Sequence, residues 1–340
     1  RAAIHLDMVG GGPATKAVFH VTRGPASLPS FVHDVAAALG AWANRETHDF
    51  AAHGRAEWPL VAPEGGKEPL AAALSDYTGG SDHDVWNEGS FRVPAIYFND
   101  WPDRYIHTTG DTAANIDPTK LERAAFLAAA SALVLADLDP SRAAEVEALL
   151  RAASLRRLAT VLERRAALPP AEADVLARFW RTHEIEVHRS LHRFLAPARP
   201  GADATTAGEH DTVRFLVSWA ALFADVQPAP APSGDGALVF HRRPAPRGPM
   251  SVFGYDYLKA RLGAERHGKL ALLAAEPRWG EGDYAYEALN LVDGRRSAQE
   301  IRDALTAIYG PVPLAAVVEY LRALEAAGVL VDANAVRPPS

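Results

Sequence analysis

The sequence predicts an α/β fold, followed by an all-α segment and a small winged-helix-like domain. Three observations carry this. Up to about residue 138, apolar runs of strand length alternate with helical patterns, and loops bearing acids or histidine follow the strands. From Pro140 to about Val226 only helical patterns occur. Near the end, three short helical runs lead into the apolar run Val329 to Val331. The expected divisions are a sheet domain over 1–138, a helical extension over 139–226, a Pro/Ala linker over 227–236 and the winged-helix-like domain over 237–334.

Composition narrows the function classes. The chain has 340 residues, enough for two or three domains, and 48% of them are apolar, enough for a sizeable core. The net charge of −7 gives no general reason to expect nucleic acid as a partner. There is no cysteine, so a metal would have to sit on histidine and carboxylates. No apolar run reaches the roughly 18 residues of a membrane span.

The elements follow in order. Ala2 to Gly10 is a short apolar run with Asp7 near its end, and it reads as a buried strand. The GGGPATK stretch after it is not a phosphate loop, because the Gly-Lys-Ser/Thr spacing is missing and Pro13 lacks an N–H. Ala17 to Thr22 is a second strand. Leu28 to Glu46 has helical spacing, with Phe31, Val35, Leu39 and Trp42 on one face and Ser27 or Ser30 as N-cap. Asp49 to Ala73 is polar and rich in Pro and Gly, hence loop with room for a short helix. Val93 to Phe98 is a third buried strand, and Asp117-Pro118 opens a helix over Thr119 to Asp137. Helices are then expected over Ser141 to Ala167, Ala171 to Leu195 and Asp211 to Val226, with a loop from Leu195 to Gly208 before the last. Leu238 to Arg242 is a strand. Tyr284 to Val292, Ser297 to Tyr309 and Pro313 to Ala327 are the three final helices.

Candidate catalytic groups concentrate between Tyr77 and Pro118, where Asp82, His83, Asp84, Glu88, Asp103, His107, Asp111 and Asp117 lie among Gly and Pro. Asp7 and His107 both stand just past apolar runs that would be parallel neighbours. Both would therefore project at the carboxyl edge of the sheet, where open α/β sheets place their sites. A carboxylate and an imidazole there suit zinc, although an acid at a strand end and a loop histidine are also common structural or solvated groups.

Three blocks decide more. HLDMVGG with Asp7, GGSDHDVW, and VPAIYFNDWPDRYIHTTGDTAANIDP, in this order and at these distances, resemble the dizinc aminopeptidases of peptidase family M28 over about Ala2 to Leu138. The first domain then reads as the second half of a zinc-exopeptidase sheet domain. The resemblance implies that Asp7 ligates one zinc and His107 the other. It implies a substrate pocket lined by Ser81, Asp82 and His83, with Asp111 fixing the loop behind. Many family members carry Tyr directly before the zinc histidine, to stabilise the oxyanion. Here Ile106 stands there and Tyr105 one place back, and adjacent residues of extended chain point oppositely.

The resemblance also implies parts that would precede Asp7: a first zinc histidine, a bridging Asp and a Glu-Glu pair containing the general base. Only six residues precede Asp7 and none is Glu, so the chain is expected to be the C-terminal part of a longer protein, inactive alone. The strands Ala2–Val9 and Val93–Phe98 would then have lost neighbours. The implied chemistry is hydrolysis of N-terminal peptide bonds of a peptide substrate by water shared between two zinc ions. Family habit implies a secreted or periplasmic location.

Two further clusters have plain alternatives. Glu184, His188 and His192 share one helix face. HEIEVH is not the zincin HExxH, because His183 and His188 are five apart and fall on different faces. His188 and His192 are spaced to clamp a metal, but a solvated face or a helix–helix hydrogen bond explains them as well. Asp283 to Asp332 holds eight acids against four arginines, so the terminal domain is expected to pack on the catalytic domain or form a homodimer rather than bind DNA. The arginines of HRRPAPRG (His241 to Gly248) fit a solvated loop or an interdomain ion pair. The reading is a zinc metallo-aminopeptidase. Its rivals are glutaminyl cyclisation or carboxypeptidase chemistry on the same fold, and a non-catalytic peptidase-fold protein that recruits a partner.

Overall fold

A computed structural model gives the fold and describes residues 2–195, 209–252, 254–279 and 282–333. The sheet region contains β1 (Ala3–Asp7), β2 (Val18–Thr22), α1 (Val32–His53), β3 (Ala73–Ser75), α2 (His83–Asn87), β4 (Ala95–Trp101) and α3 (Pro118–Ala136). The strand order is β1-β4-β2-β3. β4 runs parallel to β1 and antiparallel to β2, and β2 runs parallel to β3.

β4 shows why the sheet has two distinct faces. Its first six residues are buried, and alternate side chains point to opposite sides. Ile96 and Phe98 join Phe19 and Val21 in one core with Val32 and Val35 of α1 and Leu127 of α3. Tyr97 faces the other way and stacks on His83, ring centroids 4.0 Å apart. Asp117 caps α3 by accepting the Thr119 N–H, with Pro118 in the first turn where its missing N–H costs nothing.

Then come α4 (Ala143–Ala166), α5 (Pro170–Leu195) and α6 (Glu209–Ala221). α4 and α5 lie between the sheet region and the C-terminal unit: Leu150 and Leu191 enter the sheet core, while Leu158 and Leu176 pack with Trp219, Phe223 and Ala307. The loop expected over Leu195 to Gly208 lies outside the described residues beyond Leu195. The C-terminal unit comprises β5 (Phe240–Arg242), β6 (Ser251–Val252), β7 (Tyr255–Asp256), α7 (Tyr257–Leu262), α8 (Ala264–His267), α9 (Tyr284–Asn290), α10 (Ala298–Tyr309), α11 (Leu314–Ala326) and β8 (Leu330–Asp332). β5 and β8 pair antiparallel, and α9, α10 and α11 share one core with Phe240 and Leu330.

Several expectations need correction. β1 is half-buried rather than buried, with Leu6 39% exposed, because only β4 pairs with it among the described residues. β4 has neighbours on both sides, so it is no exposed edge. Ser27 does not cap α1; Ser30 Oγ accepts the Val32 N–H at 3.5 Å, a long contact, while the Phe31 N–H donates to Ser190 Oγ at 2.8 Å. A tertiary partner thus supplements a weak local cap. α1 also continues to His53, and Gly54 ends it in the left-handed conformation (φ 68°). β3, the β6–β7 pair, α7 and α8 were not expected.

Candidate functional site

The strand ends build the site. In the parallel register of β1 and β4, Asp7 lies opposite Asn99, so both chains leave the sheet at the same edge. Met8 (φ 55°) then turns the chain sharply. Its continuation is tied down by Asp100, a fully buried carboxylate that accepts the Gly11 N–H at 2.8 Å and pairs with Lys120 at 2.6 Å. Burial pushes the Asp100 carboxyl up, and the Lys120 ammonium opposes that.

The loop after β4 is closed by its own hydrogen bonds. Asp103 accepts the Tyr105 N–H, Thr108 Oγ1 donates to the Tyr105 carbonyl, and Asn115 Nδ2 donates to the Gly110 carbonyl. At its bend His107 is exposed and sits in the left-handed region (φ 57°), where His is tolerated better than most side chains. A third loop, 78–84, is anchored by Asp84, which accepts the Tyr77 hydroxyl at 2.6 Å and the Gly80 N–H at 2.9 Å.

These three loops bound a groove of about 740 Å³. Asp7, Ser81, Asp82, Ile106, His107 and Asp111 all line it, and Val252 of β6 adds a wall from the C-terminal unit. Asp7 and His107, one hundred positions apart, thus face one space. Ser81 Oγ donates to Asp7 Oδ2 at 2.6 Å and lies 2.7 Å from His5 Nε2. Since the hydroxyl proton goes to Asp7, His5 Nε2–H is the donor to Ser81. The chain His5–Ser81–Asp7 therefore orients the carboxylate.

Two expected site residues are not in the groove wall. His83 is fully buried beneath it, with Nε2 2.7 Å from the Thr78 carbonyl, and burial pushes its imidazole down. It belongs to α2, whose inner face packs on Tyr97. Tyr105 does not line the groove, whereas its neighbour Ile106 does; the Arg104 guanidinium lies 5.1 Å from the Tyr105 ring. Burial, reinforced by the Asp7 charge, raises the Tyr97 phenol, which does line the groove. His5, Tyr97 and Asp100 were missed as site-building groups, and Asp84, expected as a candidate catalytic group, is a loop anchor. For His5 a signal existed: it is two residues before Asp7, hence on the same strand face.

The α5 cluster is a structural network. Arg157 holds Glu184 through two hydrogen bonds of 2.6 and 2.9 Å and Asp34 through one of 2.6 Å. Burial alone would raise the Glu184 carboxyl, but Arg157 holds it far below the usual carboxylate range. His188 Nδ1 is 2.8 Å from Glu147 and His192 Nε2 is 3.0 Å from the same carboxylate. Glu184 and His188 are buried, so the solvated-face explanation fails for them and the helix–helix hydrogen bond holds. Ser154, His188 and Glu147 superficially form a hydrolase triad. However, Ser154 is fully buried and its hydroxyl donates to Glu184 at 2.6 Å, not to His188.

The donor types of Asp7 and His107 suit zinc, but their number does not. Catalytic zinc takes about three protein ligands. No group of three or more His, Asp or Glu side chains placed to hold a metal occurs among the described residues. The residues present therefore do not fit a complete zinc centre.

The model of Peptidase family M28 matches residues 1–132. That segment runs from β1 into α3, contains all three groove loops and is a metallopeptidase-like region. No curated protein and no solved structure matches the chain.

Proposed function

We propose that the groove is part of a zinc-dependent aminopeptidase site, with Asp7 and His107 as metal-binding residues. The observation that carries this is the convergence of Asp7 and His107 on one groove within the M28-like region. Ser81 and His5 position the Asp7 carboxylate, while Asp82 and Asp111 give the groove the negative lining that attracts a peptide's free amino group. The C-terminal unit is read as winged-helix-like, with a role in packing beside the groove.

The test is hydrolysis of leucine p-nitroanilide and its N-acetyl derivative by the protein. The reading expects zinc-dependent cleavage of the free-amine substrate only, lost in Asp7→Asn. Cleavage of both substrates alike, or full activity in Asp7→Asn, contradicts it. A second reading is a non-catalytic peptidase-fold binding protein. The observation that favours it is that Ile106 rather than Tyr105 faces the groove, leaving no phenol at the oxyanion position before His107.

A further inference from the structure

The groove does not end at the wall that β6 gives it. A second cavity, of about 320 Å³, is walled by Thr78, Gly79, Gly80, Asp84 and Val252, all of which also line the groove. The two spaces therefore meet between the 78–80 loop and β6, with Val252 at the junction. Past it the cavity runs between the sheet region and the C-terminal unit, where Tyr77, Asp283 and Tyr286 join its wall. The groove and this cavity are two limbs of one cleft. The first bears Asp7 and His107, and the second takes half its wall from residues beyond the M28-like segment.

Apolar surface follows the cleft through the junction. Val85 and Trp101 line the first limb and are exposed, and Tyr255, the partner of Val252 across β6 and β7, is exposed as well. In the second limb the Tyr77 and Tyr286 rings stack, centroids 5.0 Å apart and 17° from parallel. Both hydroxyls are already used, one on the Asp84 carboxylate and one on the Asp84 carbonyl, each at 2.6 Å. That wall therefore offers ring surface rather than polar tips. Exposed apolar side chains gathered on a concave surface are what a ligand groove presents.

Charge sets the direction and the length of what fits. Asp7, Asp82, Asp84 and Asp111 line the first limb, Asp84 and Asp283 line the second, and no Lys or Arg lines either. Asp84 is spent within the fold, since its two oxygens accept the Tyr77 hydroxyl and the Gly80 N–H. One oxygen of Asp283 caps α9 by accepting the Ala285 and Tyr286 N–H groups. A carboxylate placed in either limb would meet like charge and no cation. A free amino acid or a dipeptide brings its carboxylate into the cleft. A longer chain leaves it outside.

We infer that the cleft takes an oligopeptide longer than a dipeptide, with its first residue in the first limb and its next apolar side chains passing Val252 to pack on Tyr77 and Tyr286. Placing the amino end in the first limb rests on the aminopeptidase reading; the two-limbed cleft does not. Val252 is then a specificity-determining residue supplied by the C-terminal unit.

Isothermal titration with leucinamide and with the tetrapeptide amides Leu-Phe-Phe-Gly and Leu-Gly-Gly-Gly tests this. The phenylalanine peptide is expected to bind about tenfold or more tightly than either of the others. Val252→Trp, which fills the junction, should bring it down to about the affinity of leucinamide, with circular dichroism confirming that the variant is folded. If that variant does not fold, the order of the three ligands on the unaltered chain decides. No detectable binding of the phenylalanine peptide at about 10 mM, equal affinity for the glycine peptide, or an undiminished affinity in folded Val252→Trp overturns the inference. The N-acetylated phenylalanine peptide separates the two readings. If it binds as tightly as the free amine and still loses about tenfold in Val252→Trp, the aminopeptidase reading fails and the two-limbed cleft stands.

Discussion

Glu287 is fully buried on α9 and accepts the Ser27 N–H at 3.2 Å across the contact between the C-terminal unit and the sheet region. Burial raises its carboxyl from 4.5 to about 7. A carboxyl raised by folding favours the folded state while protonated, so its contribution is complete below about pH 4.5 and is lost as pH rises through about 7. Glu287→Gln should flatten the fall of the urea midpoint across that window and, above pH 7, be the more stable protein by up to roughly 3 kcal/mol. Parallel pH profiles for the two proteins would refute this. Arg157 behaves oppositely: Arg157→Leu removes the guanidinium that both acids share, leaving Asp34 only the longer Arg23 contact and Glu184 only the neutral Ser154 hydroxyl and the His183 ring, and should cost about 3–5 kcal/mol in chemical denaturation. At this scale the sequence was partly legible. Asp7 and His107 stood out because each follows an apolar run. Asp100 did not, because nothing local marks a carboxylate whose partners are Gly11 and Lys120, each far from it in sequence.

Elements were legible where their stabilisation is local. Ser297 starts α10 with a capping box: its hydroxyl accepts the Glu300 N–H while the Glu300 carboxylate accepts the Ser297 N–H. All the partners lie within four residues, so the sequence shows them. Ser297→Ala should cost about 1 kcal/mol and Ser297→Gly only a few tenths, measured by denaturant unfolding. A cost for glycine as large as for alanine would show that the cap is not what holds the turn. α1 follows this logic only weakly, because its local Ser30 contact is 3.5 Å long and Ser190 of α5 holds the turn more closely. β3 failed it, because its three residues gain strand form only by pairing with β2. β6 and β7 are two residues each, too short for any period to register.

The whole molecule is held by contacts between its regions. Arg242, at the end of β5, pairs with fully buried Glu88, and Tyr286 of α9 donates to the Asp84 carbonyl at 2.6 Å while stacking on Tyr77. The C-terminal unit thus braces the loop that carries Ser81 and Asp82. Arg242→Met should destabilise the protein by about 3–5 kcal/mol by stranding Glu88, and adding Glu88→Met should recover most of that. Hydrogen exchange over residues 77–91 should rise in the single variant alone; unchanged exchange would show that the brace is not needed. These long-range pairs were the least legible feature, since charge patterning marks an arginine-rich loop but not the acid it meets.

Under the proposed function, Asp7 and His107 hold metal in one groove. That is measured as the zinc content of the protein, purified in buffered zinc, beside its Asp7→Ala and His107→Ala variants. The account predicts that each variant retains about one zinc fewer than the unaltered protein while its circular dichroism is unchanged. Undiminished zinc in both folded variants would contradict it.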